Sequence, residues 1–113
     1  KGEVSYMVFG GKFTHAVIKK AKAGDFRVQD NFGGTVHDYS PTAEEIEFAE
    51  LVVSRSIPKI AYARVDVMWD NNNRLSVGEL ELFEPALWFR KHPPAAELAA
   101  DIILEIIKKR LMR

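Results

Sequence analysis

The chain has 113 residues, of which 47% are hydrophobic and 28% charged, with 16 basic against 16 acidic side chains and no cysteine. Length and composition suit one ordinary globular domain with a modest core, and exclude a disordered chain. Zero net charge argues against a general nucleic-acid surface, which needs a basic excess. Without cysteine, disulfides and zinc–thiolate sites are excluded.

No apolar run reaches bilayer length and no signal peptide is visible. Neither nucleic acid nor membrane is therefore an expected partner, and a cytoplasmic location is expected. The chain opens on Lys1 and runs straight into a strand-like segment. It reads as a piece of something longer, whose N-terminal remainder would be its first partner.

In chain order, residues 4–9 and 12–18 are β-rich runs separated by Gly10 and Gly11. Two glycines between apolar runs predict a tight hairpin, because primed turns need positive φ. Pairing across that turn puts Val4, Tyr6, Val8, Phe13, His15 and Val17 on one face, the expected core side. Residues 19–34 are basic and punctuated by glycine, and read as a long functional loop containing a short strand. Ser40 and Pro41 suit an N-cap and first helical position. Glu44 and Glu45 suit the helix start, and Ile46, Ala49, Val52 and Val53 supply its apolar stripe. Pro58 forces a break.

Residues 60–69 and 74–82 predict a second hairpin around Asp70-Asn71-Asn72-Asn73, since Asn and Asp tolerate left-handed turns. A connection through Arg90 and His92 leads to Pro93-Pro94. A closing helix starts near Ala95, with Leu98, Ala99, Ile102, Ile103, Ile106 and Ile107 on one side and a basic end. The expected fold class is α+β: one antiparallel sheet built from two hairpins, with the helices packed on one face.

The second hairpin carries the candidate chemistry. With its turn centred on Asn71-Asn72, Arg64 faces Glu79 and Asp66 faces Val77. Side chains alternate along strands, so Arg64, Asp66, Glu79 and Glu81 share a face. Val65, Val67, Leu80 and Leu82 face the other way. Asp66 and Glu79 become diagonal neighbours, roughly 7–8 Å apart. Three carboxylates against one arginine leave an acidic excess that a hard cation would offset. Magnesium favours a few carboxylates plus phosphate oxygens. The plainer alternative is a solvated sheet face with cross-strand ion pairs. Register decides between a shared face and a split one, because a one-residue slip moves a strand's side chains to the opposite face.

Several segments resemble the ATP-grasp superfamily, in particular carboxylate–amine ligases of the glutathione synthetase type. Gly24-Asp25-Phe26-Arg27 followed by Gly33-Gly34 is similar to that family's mobile loop. Arg64-Val65-Asp66, then Glu79-Leu80-Glu81 and Pro85, resembles its metal-binding hairpin. Gly2 to Tyr6 followed by Gly10 to Phe13 resembles the strand pair before the loop. The resemblance covers nearly the whole chain and implies a C-terminal subdomain. It implies ATP and Mg2+ as cofactors, with Mn2+ an alternative ion, and Asp66, Glu79 and Glu81 as metal ligands. Glu81 stands where the family usually has asparagine, which adds a charge. Arg27 and Arg64 are the implied catalytic arginines. Lys19 or Lys20, with Arg27, would contact the nucleotide phosphates. The implied reaction phosphorylates a small-molecule carboxylate and then lets an amine displace phosphate from the acyl phosphate.

Two further readings stand beside the ligase. One is a non-catalytic α+β interaction module whose acidic face binds a basic partner or calcium. The other is a degenerate ATP-grasp domain that binds nucleotide without ligation. His15, on an apolar face, reads as a buried, hydrogen-bonded histidine rather than a catalytic one. Trp69 and Trp88 read as packing residues. Leu87, Trp88 and Phe89 are apolar residues available to the remainder of the chain or to a homodimer partner.

Overall fold

A computed structural model describes residues 2–21, 34–56, 61–82 and 85–112. Five strands form one antiparallel sheet: β1 (Glu3–Phe9), β2 (Lys12–Lys20), β3 (Thr35–Tyr39), β4 (Tyr62–Trp69) and β5 (Leu75–Glu81). Their spatial order is β3-β2-β1-β4-β5. Helix α1 (Ala43–Ser56) precedes β4, and helix α2 (Pro94–Leu111) closes the chain after a 3-10 turn at Phe89–Lys91. The α+β class, both hairpins and both helices agree with expectation. β3 is an addition, a fifth strand lying beyond the loop expected at 19–34. The central part of that loop, including Arg27, lies outside the described residues, as does Pro58.

The first hairpin turns on Gly10 and Gly11, at φ 58 and 83. Both are in the left-handed region that a primed two-residue turn requires. Beyond the turn the strands slip. Val8 pairs with Phe13, but Met7 pairs with His15, so Thr14 is an extra residue on β2. This bulge corrects the expected face. Val4, Tyr6, Val8 and Phe13 share one side, while His15 and Val17 lie on the other. A single inserted residue reverses every side chain after it.

Both sides of β1 are covered. Val4, Tyr6 and Val8 join Ala16, Ala63, Val65, Val67 and the α1 residues Ala49 and Val53 in one core. Met7, Phe9 and Val17 join Ala95 in a second, backed by Leu87, Trp88, Phe89, Ala99 and Ile102. The helices are therefore divided between the two faces of the sheet rather than sharing one. The reason is the composition of β1, which has apolar residues at both alternating positions and needs a cover on each side. Leu87, Trp88 and Phe89 are correspondingly part of the second core's cover, not a free surface.

Helix α1 starts two residues later than Ser40-Pro41 suggests. Thr42 Oγ1 accepts from the Glu45 N–H (3.2 Å), and Glu45 Oε2 accepts from the Thr42 N–H (2.7 Å). This reciprocal pair is a capping box, so Thr42 is the cap and Pro41 precedes it. Glu45 is itself buried, and its Oε1 accepts from the hydroxyls of Tyr6 (2.7 Å) and Tyr39 (2.8 Å). One carboxylate thus ties the start of α1 to β1 and to β3. Burial pushes the Tyr39 hydroxyl up to about 12, with Glu45 adding to the shift. Burial also raises Tyr6, again reinforced by Glu45.

Burial alone would raise the Glu45 pKa. The Thr42 N–H and the hydroxyls around the carboxylate outweigh that, and hold it below the ordinary 4.5. A carboxylate with a depressed folded pKa contributes stability above its ordinary pKa, and that contribution drains away as pH falls below it. Glu45→Gln is expected to cost about 1–3 kcal/mol at neutral pH. It should also lose less stability than the parent between about pH 5 and 3. Urea unfolding across that range checks both effects; parallel curves would refute the role given to the charge.

Candidate functional site

The second hairpin reaches the expected face by an unexpected route. Its turn is anchored by Asp70, whose Oδ1 accepts from the N–H groups of Asn72 (2.8 Å) and Arg74 (2.9 Å). Asn73 sits in the left-handed region at φ 59, so Asn71–Asn73 form the turn and Trp69 pairs with Leu75 rather than Arg74. That odd-length turn slips the register by one and would split the charges between faces. A bulge then slips it again. Val67 pairs with Val77, but Asp66 pairs with Glu79, leaving Gly78 as the extra residue. The two offsets together restore the alternation. Arg64 faces Glu81, not Glu79, and Asp66 faces Glu79, not Val77. All four still share one face. Val65 and Val67 point into the first core, with Leu80 and Leu82 against it.

Asp66 is the centre of this face, 2% exposed. Its Oδ1 accepts from Ser5 Oγ (2.6 Å) and Arg64 Nε (3.0 Å), and its Oδ2 from Arg64 Nη2 (2.9 Å). Lys19 Nζ lies 3.9 Å from Oδ2 and 2.5 Å from Glu3 Oε1. Arg64 Nη2 also donates to Glu81 Oε2 at 2.7 Å. The indole of Trp88 lies over both cations, 5.4 Å from the Arg64 guanidinium carbon and 5.8 Å from Lys19 Nζ. Trp88 holds φ 49, unusual for a bulky residue. Glu79 is exposed beside the cluster.

Of the expected site residues, Lys19, Arg64, Asp66 and Glu81 come together, and Glu79 shares their face by register. Lys20 does not: it follows Lys19 on β2 and therefore points to the opposite face. Arg27 lies outside the described residues. Sequence reasoning missed Ser5, Glu3 and the position of Trp88. Ser5 carried a signal, a small polar residue within an otherwise apolar strand, which when buried needs a partner.

The donor chemistry suits a hard cation, with carboxylates from adjacent strands on one surface. In the present arrangement, however, Arg64 bridges Asp66 and Glu81. Among the described residues no three Asp, Glu or His side chains converge so as to hold a metal ion. The cluster remains acidic, with Glu3, Asp66, Glu79 and Glu81 against Lys19 and Arg64.

His15 is 8% exposed. Its Nε2 donates to the Leu87 carbonyl and its Nδ1 lies against Thr14 Oγ1, both at 2.8 Å. Burial lowers its pKa, partly opposed by the Leu87 carbonyl. It fixes the 85–92 connection over the second core, which agrees with a structural role. Among the described residues no helix is long and apolar enough to cross a membrane.

No protein-family model matches the chain, and no curated protein matches it. Solved structures do. D-cycloserine synthetase superposes with a TM-score of 0.65 and 22% identity, over 91% of this chain and 37% of that one. D-alanine–D-alanine ligase from Bacillus anthracis, complexed with ATP, gives 0.62 and 24%, over 93% and 38%. The fold is that of an ATP-grasp subdomain. The chain spans well under half the length of either neighbour. Identities this low speak for the fold, while function has to be argued from the site.

Asp66→Asn removes the charge that holds Arg64 and Lys19, leaving cations without their buried partner. A loss of about 3–5 kcal/mol is expected. Glu79→Gln, on the exposed rim, should stay within about 0.5 kcal/mol of the parent. Urea denaturation distinguishes them, and equal midpoints would overturn the central place given to Asp66.

Proposed function

We propose that these residues form the C-terminal part of an ATP-dependent carboxylate–amine ligase, in which the face of β4 and β5 receives the phosphate end of ATP and its Mg2+. The observation that carries the reading is the shared face of Arg64, Asp66, Glu79 and Glu81, with Lys19 beside it, on an ATP-grasp fold. The neighbour that carries ATP supports the choice of nucleotide.

In this reading Asp66, Glu79 and Glu81 are the residues that would hold Mg2+, whose charge would screen that of the phosphate oxygens. A phosphoryl group presents the same paired acceptors to an arginine as a carboxylate does. Arg64 can therefore exchange Glu81 for an incoming phosphate, and that exchange releases Glu81 as a metal ligand. Lys19 adds a second positive charge at the same place. Arg27 is proposed to meet the transferred group. The chemistry proposed is formation of an acyl phosphate on a small carboxylate, followed by attack of an amine. These residues contribute by positioning and charge compensation, with no side-chain nucleophile. The adenine site and much of the acceptor site belong to the N-terminal remainder. The 113-residue chain alone is accordingly expected to bind nucleotide weakly and not to turn over.

The pairing of Arg64 with both Asp66 and Glu81 also favours a second reading, an ATP-grasp domain that binds nucleotide without ligation. One experiment separates the two. The longer protein carrying these residues is incubated with Mg-ATP, a panel of small carboxylates and hydroxylamine, and ADP and hydroxamate are assayed. ATP-dependent hydroxamate that falls at least a hundredfold in Glu79→Gln is expected; the size is roughly that of removing one transition-state charge contact. Nucleotide binding without ADP or hydroxamate would establish the second reading. No binding at all would leave the interaction module.

A further inference from the structure

Helix α2 carries two apolar stripes, and the sheet uses one. Ala95, Ala99 and Ile102 face the second core. The other stripe, about a quarter turn or more around the helix, runs through Ala96, Ala100, Ile103, Leu104, Ile107 and Leu111. None of these residues belongs to either core among the described residues. The large ones are exposed: Ile103 42%, Leu104 52%, Ile107 48% and Leu111 80%. Positions 96, 100, 103 and 107 alternate steps of four and three, the spacing of a helix–helix seam.

The seam is ordered by size and by charge. Its N-terminal half holds alanines and its C-terminal half isoleucine and leucine. Acidic Glu97 and Asp101 precede its middle and basic Lys108, Lys109 and Arg110 follow it, while Glu105 lies on the side of the helix away from the stripe. Two such helices running antiparallel about a two-fold axis at Ile103 and Leu104 complement each other. Ala96 then meets Leu111, and Ala100 meets Ile107, small against large. Glu97 and Lys108 lie about three turns apart and so share a flank. Under the two-fold, Glu97 of each copy adjoins Lys108 of the other. A parallel pair would instead set alanine on alanine and like charges side by side.

We propose that this stripe is the interface with a second copy of the chain, an antiparallel α2–α2 pair with an isologous, self-complementary contact. Occupation by another segment or another protein does not require the two halves of the stripe to complement each other, and a second copy does.

Sedimentation of the chain over a range of concentrations is expected to show a monomer–dimer equilibrium. Ile107→Glu should abolish the dimer with an unchanged circular dichroism spectrum. Glu97→Lys and Lys108→Glu should each weaken it roughly threefold to tenfold, and the double exchange should restore it. Ala100→Cys combined with Ile107→Cys should cross-link two copies on oxidation. A chain that stays monomeric throughout, a dimer indifferent to Ile107→Glu, or charge exchanges that fail to rescue would overturn the proposal.

Discussion

Asp66 is a carboxylate at the middle of a sheet, with almost no access to water. A charge in that position persists only if it is paired and hydrogen-bonded. Much of the second face follows from that need. Ser5 on the neighbouring strand and Arg64 on its own strand satisfy both oxygens. Lys19 approaches from β2, and Glu3 approaches Lys19 in turn. Trp88 covers the two cations with its ring face, where the indole quadrupole is attractive to positive charge. Four strands and the 85–92 connection thus meet around one carboxylate. The proposed phosphate site rests on the same concentration of exchangeable charge, because phosphate can replace a carboxylate partner without leaving the arginine unpaired.

The opposite face is tied together by another carboxylate. Glu45 closes the capping box of α1 and accepts from tyrosines on β1 and β3. The helix is thereby fixed at its start by hydrogen bonds and along its length by Ala49 and Val53. Each side of the central strand therefore has one buried acid that links elements far apart in sequence. On one side the acid's partners are hydroxyls and a backbone N–H, which neither titrate nor exchange near neutral pH. On the other they are cations that can change partners. That difference in chemistry is what separates a structural carboxylate from a candidate site.

Helix α2 differs from α1 in how little of it the sheet covers. Its first turns complete the second core, and its later residues keep an apolar stripe exposed. An isolated helix face of this kind is an unfavourable surface in water, and the size and charge gradient along it specifies a mate running the other way.

Much of this was legible in the residues themselves. Gly10-Gly11 and Asp70 to Asn73 announced both turns, since few other residues accept the backbone angles found there. The apolar runs located four of the five strands and both helices. Arg64, Asp66, Glu79 and Glu81 were placed on one face, though with other cross-strand partners, and the choice between Lys19 and Lys20 was left open. What local sequence did not determine was register. Thr14 and Gly78 are extra residues in their strands; nothing beside Thr14 marks a bulge, while Gly78, a lone glycine within a strand, is a local sign of one that alternation alone overlooks. A bulge forms when the cores on both faces of a sheet demand it. Here it sends His15 and Val17 to the second face, and brings Glu79 back to the side of Asp66. The division of the helices between faces, and the position of Trp88 over the cations, likewise depend on contacts between residues distant in the chain. Sequence alone settled which segments become strands, turns and helices, because backbone preference and periodicity are local. Tertiary structure decided which side chains meet, because registry is set by the packing of both faces at once.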